Sequence, residues 1–460
     1  MIDTRIVGAT VVTKAAVSLL DIGIDNGRIV DLSVHGSPGL PSRETLDATG
    51  LVVVPGAIDA HTHFTGAHDD VIEEVRAGTV GAAAGGVTTV IEMPHSDPPA
   101  TTSAAFEWKK DLFSAQSSVD FALWGGMNGR NLDELARLGE AGSVAMKGFL
   151  CSGRPDGEAG DKRGLPMIDD DALLEAMRVA ADLDVVVGLH AENHAILRGR
   201  SAALRAVGRD GGRAHAAAQP EIAEIEAVAR SLLLARETGS RLHIVHMSSS
   251  RTAALIDGGR RGARVSVETC PQYLLLDEDD LERIGPFARC GPPIRPRTTV
   301  EALWGDVLAG RVDSIASDHC PYLPEQKNGG AGSIWAAAMG LTGIETAVPL
   351  FFASAAQRGL PLQCFAAMTA TNPARIFGLD DRKGAIALGL DADLAFYAPD
   401  RPWTVRGARF RGRGTWSAFE GMICEATVVR TMVRGATVFV DGEAHVQPGH
   451  GRYQPRRVMP

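Results

Sequence analysis

Residues 51–63 read LVVVPGAIDAHTH, an apolar run that ends in two histidines separated by one residue. Side chains alternate between the two faces of a β-strand, so His61 and His63 point the same way on a strand. Two imidazoles on one face can bind the same metal ion. The stretch therefore predicts a buried strand that ends in a candidate metal site.

Short apolar segments alternate with helical segments through the middle of the chain. Eight segments have the composition of buried strands, namely 52–58, 87–92, 121–124, 144–149, 185–189, 243–246, 264–268 and 314–317. Amphipathic helices are predicted between several of them, including 170–181 and 222–238. This alternation predicts a (β/α)8 TIM-like barrel with catalytic groups at the carboxyl ends of its strands. A doubly wound sheet is the alternative, but Gly85-Gly86 precedes a strand instead of following one.

Both ends of the chain are rich in predicted strands. Asn26-Gly27 and Arg434-Gly435 each lie between two short apolar segments, the pattern of a β-hairpin. We expect the two ends to pair into one small β-sandwich domain that the barrel interrupts. The predicted domains are the sandwich, formed by residues 1–52 and 383–460 with a C-terminal tail, and the barrel, formed by residues 53–382.

The composition is typical of a globular enzyme. The chain has 460 residues, of which 45% are hydrophobic and 22% are charged, and its net charge is −10. This charge argues against nucleic acid and anionic membranes as partners. No segment approaches the ~20 apolar residues of a membrane span, and the N-terminus lacks a signal-peptide pattern. The 6 cysteines form no Cys-x-x-Cys pair, which excludes a thiolate zinc site of that type. We expect a cytoplasmic protein.

Polar side chains lie at or near the ends of several predicted strands. They are His61, His63, Lys147, His190, His246 and Asp318. Each has an ordinary alternative, such as a hydrogen-bonded core histidine or, for Asp318, a helix N-cap. Together they favour one shared site, because buried polar groups at so many strand ends would otherwise each need separate partners.

The remaining histidines near these strands are not predicted as ligands. His243 lies three residues before His246, so the two would face opposite sides of a strand. We predict His246 as the ligand because it is nearer to the strand's end. The others are His68, His95, His194 and His319, of which His319 is a candidate neighbour of the site.

A lysine in a metal cluster needs an explanation, because an ammonium group repels a cation. Burial beside positive charge would lower the pKa of Lys147 and free its amine. A neutral amine adds carbon dioxide to give a carbamate, an anionic group able to bridge two divalent metal ions. The alternative is a lysine with a buried stem and a head that reaches solvent.

These residues resemble the motifs of the cyclic amidohydrolases of the amidohydrolase superfamily. That group contains allantoinases, hydantoinases, dihydropyrimidinases and dihydroorotases, and the resemblance spans almost the whole chain. It rests on residues 55–63, 90–94, 147, 190–193, 245–249, 268–273, 292–295, 317–319 and 370–374.

The resemblance implies two metal sites that share a bridge. The ligands of the more buried ion would be His61, His63 and Asp318. His190 and His246 would hold the other ion, with the carbamate of Lys147 and a hydroxide bridging both. The hydroxide would attack a ring carbonyl, and Asp318 would carry its proton to the leaving nitrogen. Zinc is the expected metal, because all the ligands are nitrogen and oxygen atoms.

Departures from the family patterns narrow the substrate. D-type hydantoinases and dihydropyrimidinases have a tyrosine five residues beyond the carboxylated lysine, where this chain has Ser152. Dihydroorotases commonly have an arginine shortly after His-x-His, where residues 64–68 read FTGAH. We therefore expect a neutral cyclic ureide of the allantoin or hydantoin type, contacted by Ser152 and by backbone near Gly291 and Met339. An L-type hydantoinase has asparagine in place of Met339.

Other activities remain as alternatives. A cyclic imide hydrolase or a dihydropyrimidinase-like enzyme would use the same centre. A deaminase of the superfamily is disfavoured by Lys147, since a single-metal site needs no bridge. A non-catalytic scaffold is disfavoured because all six ligands are retained.

The resemblance also implies a homotetramer or homodimer. Segments 154–166 and 321–333 are predicted to cover the pocket.

Overall fold

Two large β-sheets organise the chain in the computed structural model, which describes residues 1–66, 70–152, 165–329 and 332–457. An eight-stranded sheet comes from the middle of the chain and a nine-stranded sheet from its two ends. The strands within these ranges are β1 Ile2–Val12, β2 Val17–Asp25, β3 Arg28–Val34, β4 Ser42–Asp47, β5 Val52–Pro55, β6 Ala57–Thr62, β7 Val87–Glu92, β8 Asp120–Gly126, β9 Ala145–Phe149, β10 Val186–His190, β11 Arg241–Ile244, β12 Arg264–Thr269, β13 Ser314–Ile315, β14 Leu394–Ala398, β15 Trp403–Thr404, β16 Ile423–Cys424, β17 Thr427–Val433, β18 Ala436–Val440 and β19 Glu443–Ala444.

Helices separate most strands of the eight-stranded sheet. In the same ranges they are α1 Val71–Ala84, α2 Ser103–Gln116, α3 Leu132–Glu140, α4 Asp170–Asp182, α5 His194–Ala206, α6 Gly212–Ala218, α7 Glu221–Thr238, α8 Ser250–Gly259, α9 Gln272–Leu275, α10 Glu278–Ile284, α11 Arg297–Leu308, α12 Pro324–Lys327, α13 Ala347–Gln357, α14 Leu362–Ala366 and α15 Asn372–Ile376.

The two helices predicted from amphipathic spacing form as α4 and α7. The side chain of Asp169 caps α4 by accepting the N–H of Ala172, and α7 stops at Gly239, whose φ of 71° places it in the left-handed region. None of the helices in the described ranges has the length and apolar character needed to cross a bilayer.

The eight-stranded sheet is the predicted barrel. Its strands run in the order β13-β12-β11-β10-β9-β8-β7-β6, and every neighbouring pair is parallel. A parallel bridge between Thr62 and His319 joins the end of β6 to the chain beyond β13 and closes the ring. All residues of β6, β7, β8 and β10 are buried. The carboxyl ends of all eight strands therefore meet at one rim.

The strand predicted over residues 52–58 is wrong in one respect, since it is two strands in two different sheets. β5 pairs with β1 and β14 in the terminal sheet, whereas β6 begins the barrel. Gly56 lies between them, and a Cβ there would come within 2.2 Å of the Thr88 side chain. Because both halves are apolar, the change of sheet leaves no mark in the hydrophobic pattern.

The nine-stranded sheet confirms that the two chain ends share a small β-sandwich. β14 joins the N-terminal strands through β5 and the C-terminal strands through β17. Both predicted hairpins form, with Asn26 and Gly27 at φ 50° and 77° and Arg434 and Gly435 at φ 47° and 74°. Positive φ at both central residues is the requirement of a type I′ turn. The domain limits given above stay predictions.

A buried ion cluster, far from the carboxyl rim, joins the sandwich to the barrel. The ammonium of Lys383 lies 2.7, 3.2 and 2.6 Å from carboxylate oxygens of Asp120, Asp391 and Asp393. Asp120 is the first residue of β8, at the amino end of the barrel. The three carboxylates already have a cation between them, so we interpret this cluster as structural.

Candidate active site

The carboxyl rim of the barrel brings the predicted site residues together. His61 lies on β6 and His63 follows it, Lys147 lies on β9, and His190 ends β10. The last two, His246 and Asp318, lie just beyond β11 and β13.

His61, His63 and Asp318 converge most tightly. The Nε2 atoms of the two histidines are 3.2 Å apart, and each lies 3.3 Å from Oδ1 of Asp318. Ligand atoms about 2.0–2.1 Å from a tetrahedral zinc ion lie about 3.3–3.4 Å from one another. The three atoms therefore have the spacing of one face of a zinc coordination tetrahedron.

His190, His246 and Lys147 lie beside this triangle. The ring centroids of His190 and His246 are 4.5 Å apart, and those of His246 and His61 are 5.2 Å apart. Neither Nζ of Lys147 nor Nδ1 of His246 has a hydrogen-bond partner among the described residues, although both atoms are buried. Burying unpartnered polar atoms costs free energy, which a bound cation and a carbamate would offset. The donor set thus fits a pair of divalent ions.

Backbone strain marks two of these residues. His246 and Asp318 have φ of 39° and 50°. Asn26 and Arg434 also have positive φ, but they occupy hairpin turns where it is expected. Positive φ in a non-glycine residue costs on the order of 1–3 kcal/mol and is concentrated at functional sites. Here it turns both side chains out of the strand direction and into the cluster.

Glu268, to which the sequence assigned no role, contacts three histidines at the carboxyl rim. Its Oε1 lies 2.5 Å from Nδ1 of His61 and accepts the N–H of His246 at 3.2 Å, and its Oε2 lies 3.2 Å from Nε2 of His243. Burial would raise its pKa, but His61 and His243 outweigh burial and lower it. An ionised carboxylate can only accept, so it fixes the proton of His61 on Nδ1 and leaves Nε2 for a metal.

The prediction that His243 and His246 face opposite sides is wrong. β11 ends at Ile244, before His246, and the positive φ of His246 turns its ring inward. His243 also lies inside the barrel, bonded to Glu268 and to Ser266 Oγ at 2.8 Å. The alternation rule fails here because it applies only while the chain remains extended.

Two more histidines near the rim, His190 and His319, are held by a carboxylate and by backbone amides. Oε2 of Glu192 lies 2.8 Å from Nε2 of His190, which leaves Nδ1 of that ring for other contacts. Burial lowers the pKa of His190, but Cys151 and Glu192 outweigh this and raise it to about 10. Donor atoms of Cys151, His190 and Glu192 lie within 4.8 Å of one another. His319 accepts the N–H groups of Gly343 and Ile344 on its Nδ1.

A second carboxylate orders the backbone that follows β6. Glu92 accepts the N–H groups of Phe64 and Thr65 and the hydroxyls of Thr62 and Thr65. Its nearest cation is Lys109, with Nζ 3.8 Å away. Because these contacts begin immediately beyond His63, they fix the direction in which His63 projects.

The pKa shifts of His63, His246 and Lys147 suit metal binding, whereas that of His190 favours its charged form in the metal-free protein. Burial, reinforced by neighbouring histidines, lowers the pKa of His63 and His246 well below the usual value, so both rings are neutral. Burial also lowers the pKa of Lys147 to about 8, although Asp318 and Glu268 act in the opposite direction. The sequence predicted a lowered pKa for Lys147, and the structure agrees in direction. The cause is burial, because no positively charged neighbour is among the largest effects. Burial raises the pKa of Asp318, and His61 and Lys147 oppose it.

The predicted substrate-binding residues are only partly brought together. A Cβ on Gly291 would lie 3.0 Å from the sulfur of Met339, so these two positions are in contact. Ser152 follows β9 and donates its backbone N–H to Nδ1 of His194 at 3.4 Å. His68 lies outside the described residues, as does most of the predicted cover 154–166. The cover predicted over 321–333 contains α12, and its residues 330–331 are not described.

Comparison with known proteins agrees with this fold and cluster. The amidohydrolase family profile matches residues 52–438. The allantoinase of Deinococcus radiodurans is 37% identical over 99% of this chain and 100% of that protein, and the L-hydantoinase of Paenarthrobacter aurescens is 34% identical over 99% of this chain and 99% of that protein. The structure of the L-hydantoinase (dihydropyrimidinase) from Arthrobacter aurescens has a TM-score of 0.93 at 33% identity, covering 99% of this chain and 100% of that one.

The chain therefore belongs to the amidohydrolase family, and within it is a cyclic amidohydrolase of the allantoinase and hydantoinase group. The resemblance drawn from the sequence motifs is confirmed. A doubly wound sheet is excluded by the all-parallel closed barrel.

Proposed function

We propose that this enzyme hydrolyses a ring C–N bond of a neutral cyclic ureide of the allantoin or hydantoin type, using two divalent metal ions. The observation that carries the proposal is the triangle of His61, His63 and Asp318, whose atoms lie 3.2–3.3 Å apart as zinc ligands do. The names of the allantoinase and L-hydantoinase relatives support the choice of substrate class.

Six side chains would hold the metal ions. His61, His63 and Asp318 would bind one ion, and His190 and His246 the other, with Lys147 as a carbamate between them. When bound, such ions polarise a carbonyl oxygen and lower the pKa of a water molecule. Zinc fits the nitrogen and oxygen donors, and Glu268 and Glu192 would orient two of the imidazoles.

Asp318 is the proton carrier in this proposal. Its carboxylate lies 3.3 Å from both His61 and His63, and burial raises its pKa. A carboxyl group with a raised pKa accepts a proton from the attacking water and returns it to the leaving ring nitrogen. The water oxygen becomes bonded to the former ring carbonyl carbon as the C–N bond breaks. The product is a ring-opened N-carbamoyl acid or a related amide acid.

Three features favour a small, neutral ring. Ser152 stands where a tyrosine would restrict the pocket, and residues 64–68 contain no arginine to bind a substrate carboxylate. Gly291 and Met339 would contact the ring through their backbone. These two positions touch each other, so a ring beside one would also lie near the other.

The test is a comparison of kcat/KM across allantoin, 5-substituted hydantoins of both hands, dihydrouracil, dihydroorotate and succinimide, with chelated enzyme as the control. We expect the highest value for allantoin or a hydantoin and little turnover of dihydroorotate. A preference for succinimide or dihydrouracil would favour the imide hydrolase or dihydropyrimidinase alternative. A preference for dihydroorotate would contradict the pocket argument, and inactivity throughout would contradict the proposal.

We further propose that the enzyme is a cytoplasmic homotetramer or homodimer. Resemblance to the cyclic amidohydrolases supports this assembly. Light scattering during size-exclusion chromatography would measure the mass of the particle, and a monomer at micromolar concentration would contradict it.

A further inference from the structure

After Asp318 the chain leaves the barrel, and it returns at Leu341, beside the two residues that follow Asp318. Cys320 donates its N–H to the carbonyl of Leu341 at 2.8 Å, and His319 forms a bridge with Leu341. We call residues 335–341 the return segment. It carries Met339, which contacts Gly291, and it returns beside His319 and Cys320, the two residues that follow Asp318.

One fully buried lysine binds the backbone on both sides of Met339. Nζ of Lys327, in α12, donates to the carbonyl of Ala338 at 2.9 Å and to the carbonyl of Gly340 at 2.8 Å. Its third bond, at 3.0 Å, is to the carbonyl of Arg289. An ammonium has three donors, and here all three are used on main-chain oxygens.

The bond from Lys327 to the carbonyl of Arg289 connects the return segment to the residues that directly precede Gly291. The carbonyl of Arg289 also accepts the N–H of Gly340 at 3.0 Å. The guanidinium of Arg289 donates in turn to the carbonyls of Trp335, at 2.9 Å, and Ala337. Two buried cations thus join the return segment to the backbone at residue 289.

The Gly291 side of this contact is itself held in place. Nε2 of His215 lies 2.8 Å from the carbonyl of Cys290, and the hydroxyl of Tyr273 donates to the carbonyl of Pro292 at 2.8 Å. Because the carbonyls of residues 290 and 292 are held in place, a change in the spacing between Gly291 and Met339 requires movement of the return segment. Lys327 restrains its turn at Met339 from both sides, together with the N–H of Ala338, which donates to the carbonyl of Gln326 at 3.0 Å, and the N–H of Gly340.

We propose that Lys327 is a positioning residue that sets the spacing between Met339 and Gly291 and so determines which ring substituents the enzyme accepts. This rests on the proposed function, in which both positions contact the substrate ring. Lys327 does not touch the reacting atoms. It acts through the two carbonyls that flank Met339.

The surroundings of Lys327 explain why a lysine is needed there. Its charge faces three carbonyl oxygens and, at 5.1 Å, the ring of Trp416, and no ion pair with a carboxylate is found for it in the described part of the chain. Replacing it with an apolar side chain would leave three buried carbonyls without this donor, and the turn at Met339 would be free to shift.

The test compares Lys327→Met with Lys383→Met, a matched loss of a buried lysine at the opposite end of the barrel. For Lys327→Met we expect KM to rise about tenfold with kcat changed less than about threefold, and unchanged metal content. We also expect the kcat/KM ratio between unsubstituted hydantoin and 5-benzylhydantoin to change at least about threefold, and amide exchange to accelerate in peptides covering 335–341. Lys383→Met should lower stability without changing the ratio or this exchange.

Lys327→Gln retains a donor and should fall between the wild type and Lys327→Met, and it serves as the test if the methionine variant does not fold. Wild-type KM, selectivity and exchange in either variant would overturn the proposal. A fall in kcat alone would also overturn it, because a positioning residue acts on substrate fit. If the wild type hydrolyses no cyclic ureide, the proposed function fails, while exchange of residues 335–341 still decides whether Lys327 restrains them.

Discussion

Nδ1 of His61 is hydrogen-bonded to Oε1 of Glu268 over 2.5 Å, and both side chains are buried. The carboxylate thereby determines which imidazole nitrogen faces His63 and Asp318. The same carboxylate contacts His243 and the backbone of His246. One acid on β12 therefore orders two of the proposed ligands, His61 on β6 and His246 just beyond β11.

We expect Glu268→Gln to weaken metal affinity by about 10–100-fold, because an amide neither fixes the imidazole tautomer nor stabilises its charge. Competition with a chelator of known affinity would measure the change. Glu345→Gln, which removes a buried carboxylate paired with Arg411, is the control and should retain wild-type metal affinity. Equal affinity in both variants would show that Glu268 does not orient the ligand.

The Lys147→Ala variant should lose activity and the second metal ion while keeping its fold. Nζ of Lys147 has no hydrogen-bond partner among the described residues, so its removal breaks no internal bond there. Circular dichroism and elemental analysis would establish the fold and the metal content. Short carboxylic acids should restore part of the turnover by replacing the carbamate. Full activity and two ions in the variant would contradict the bridging role.

The rate at which zinc restores activity to the metal-free enzyme should depend on pH. Burial lowers the pKa of Lys147 to about 8 in the metal-free protein, and only the neutral amine adds carbon dioxide. At constant dissolved carbon dioxide, the rate of reactivation by zinc should rise about tenfold per pH unit below pH 8 and level off above it. The control is Lys147→Ala with acetate, which should lack this rise. A rate independent of pH in the wild type would argue against carboxylation.

Much of the fold follows from the spacing of apolar residues. Alternation of strands and helices predicted the barrel, and Asn26-Gly27 predicted the first hairpin because few other pairs accept positive φ at both positions. The division of residues 52–58 between two sheets could not be predicted. At the switch, Gly56 lies against Thr88, a contact that only the folded chain creates.

The clustering of the candidate residues could be predicted where a side chain lies on a strand near the rim, and not where it acts through another residue. His61, Lys147 and His190 belong to the first kind. Glu268 belongs to the second, although its place near the end of β12 was a usable signal. Lys327 gave no signal, because it lies in a polar segment and its partners are main-chain carbonyls.

Asp318→Asn should reduce kcat at least ~10²-fold, because an amide cannot carry a proton between water and the leaving nitrogen. Metal content must be measured on the same sample, since Asp318 is also a proposed ligand. Asp306→Asn alters a buried carboxylate on α11 that pairs with Arg311 and should leave kcat unchanged. Near-normal kcat with full metal occupancy in Asp318→Asn would contradict its role.

A metal titration tests the proposed binuclear centre most directly. Enzyme stripped by a chelator would be titrated with zinc in the presence of bicarbonate, and hydrolysis of the preferred cyclic ureide would be followed at each addition. We predict that activity is absent without metal and reaches its maximum at about two equivalents per chain, the number that the ligand set accommodates. Saturation at one equivalent, or full activity in the stripped enzyme, would contradict it.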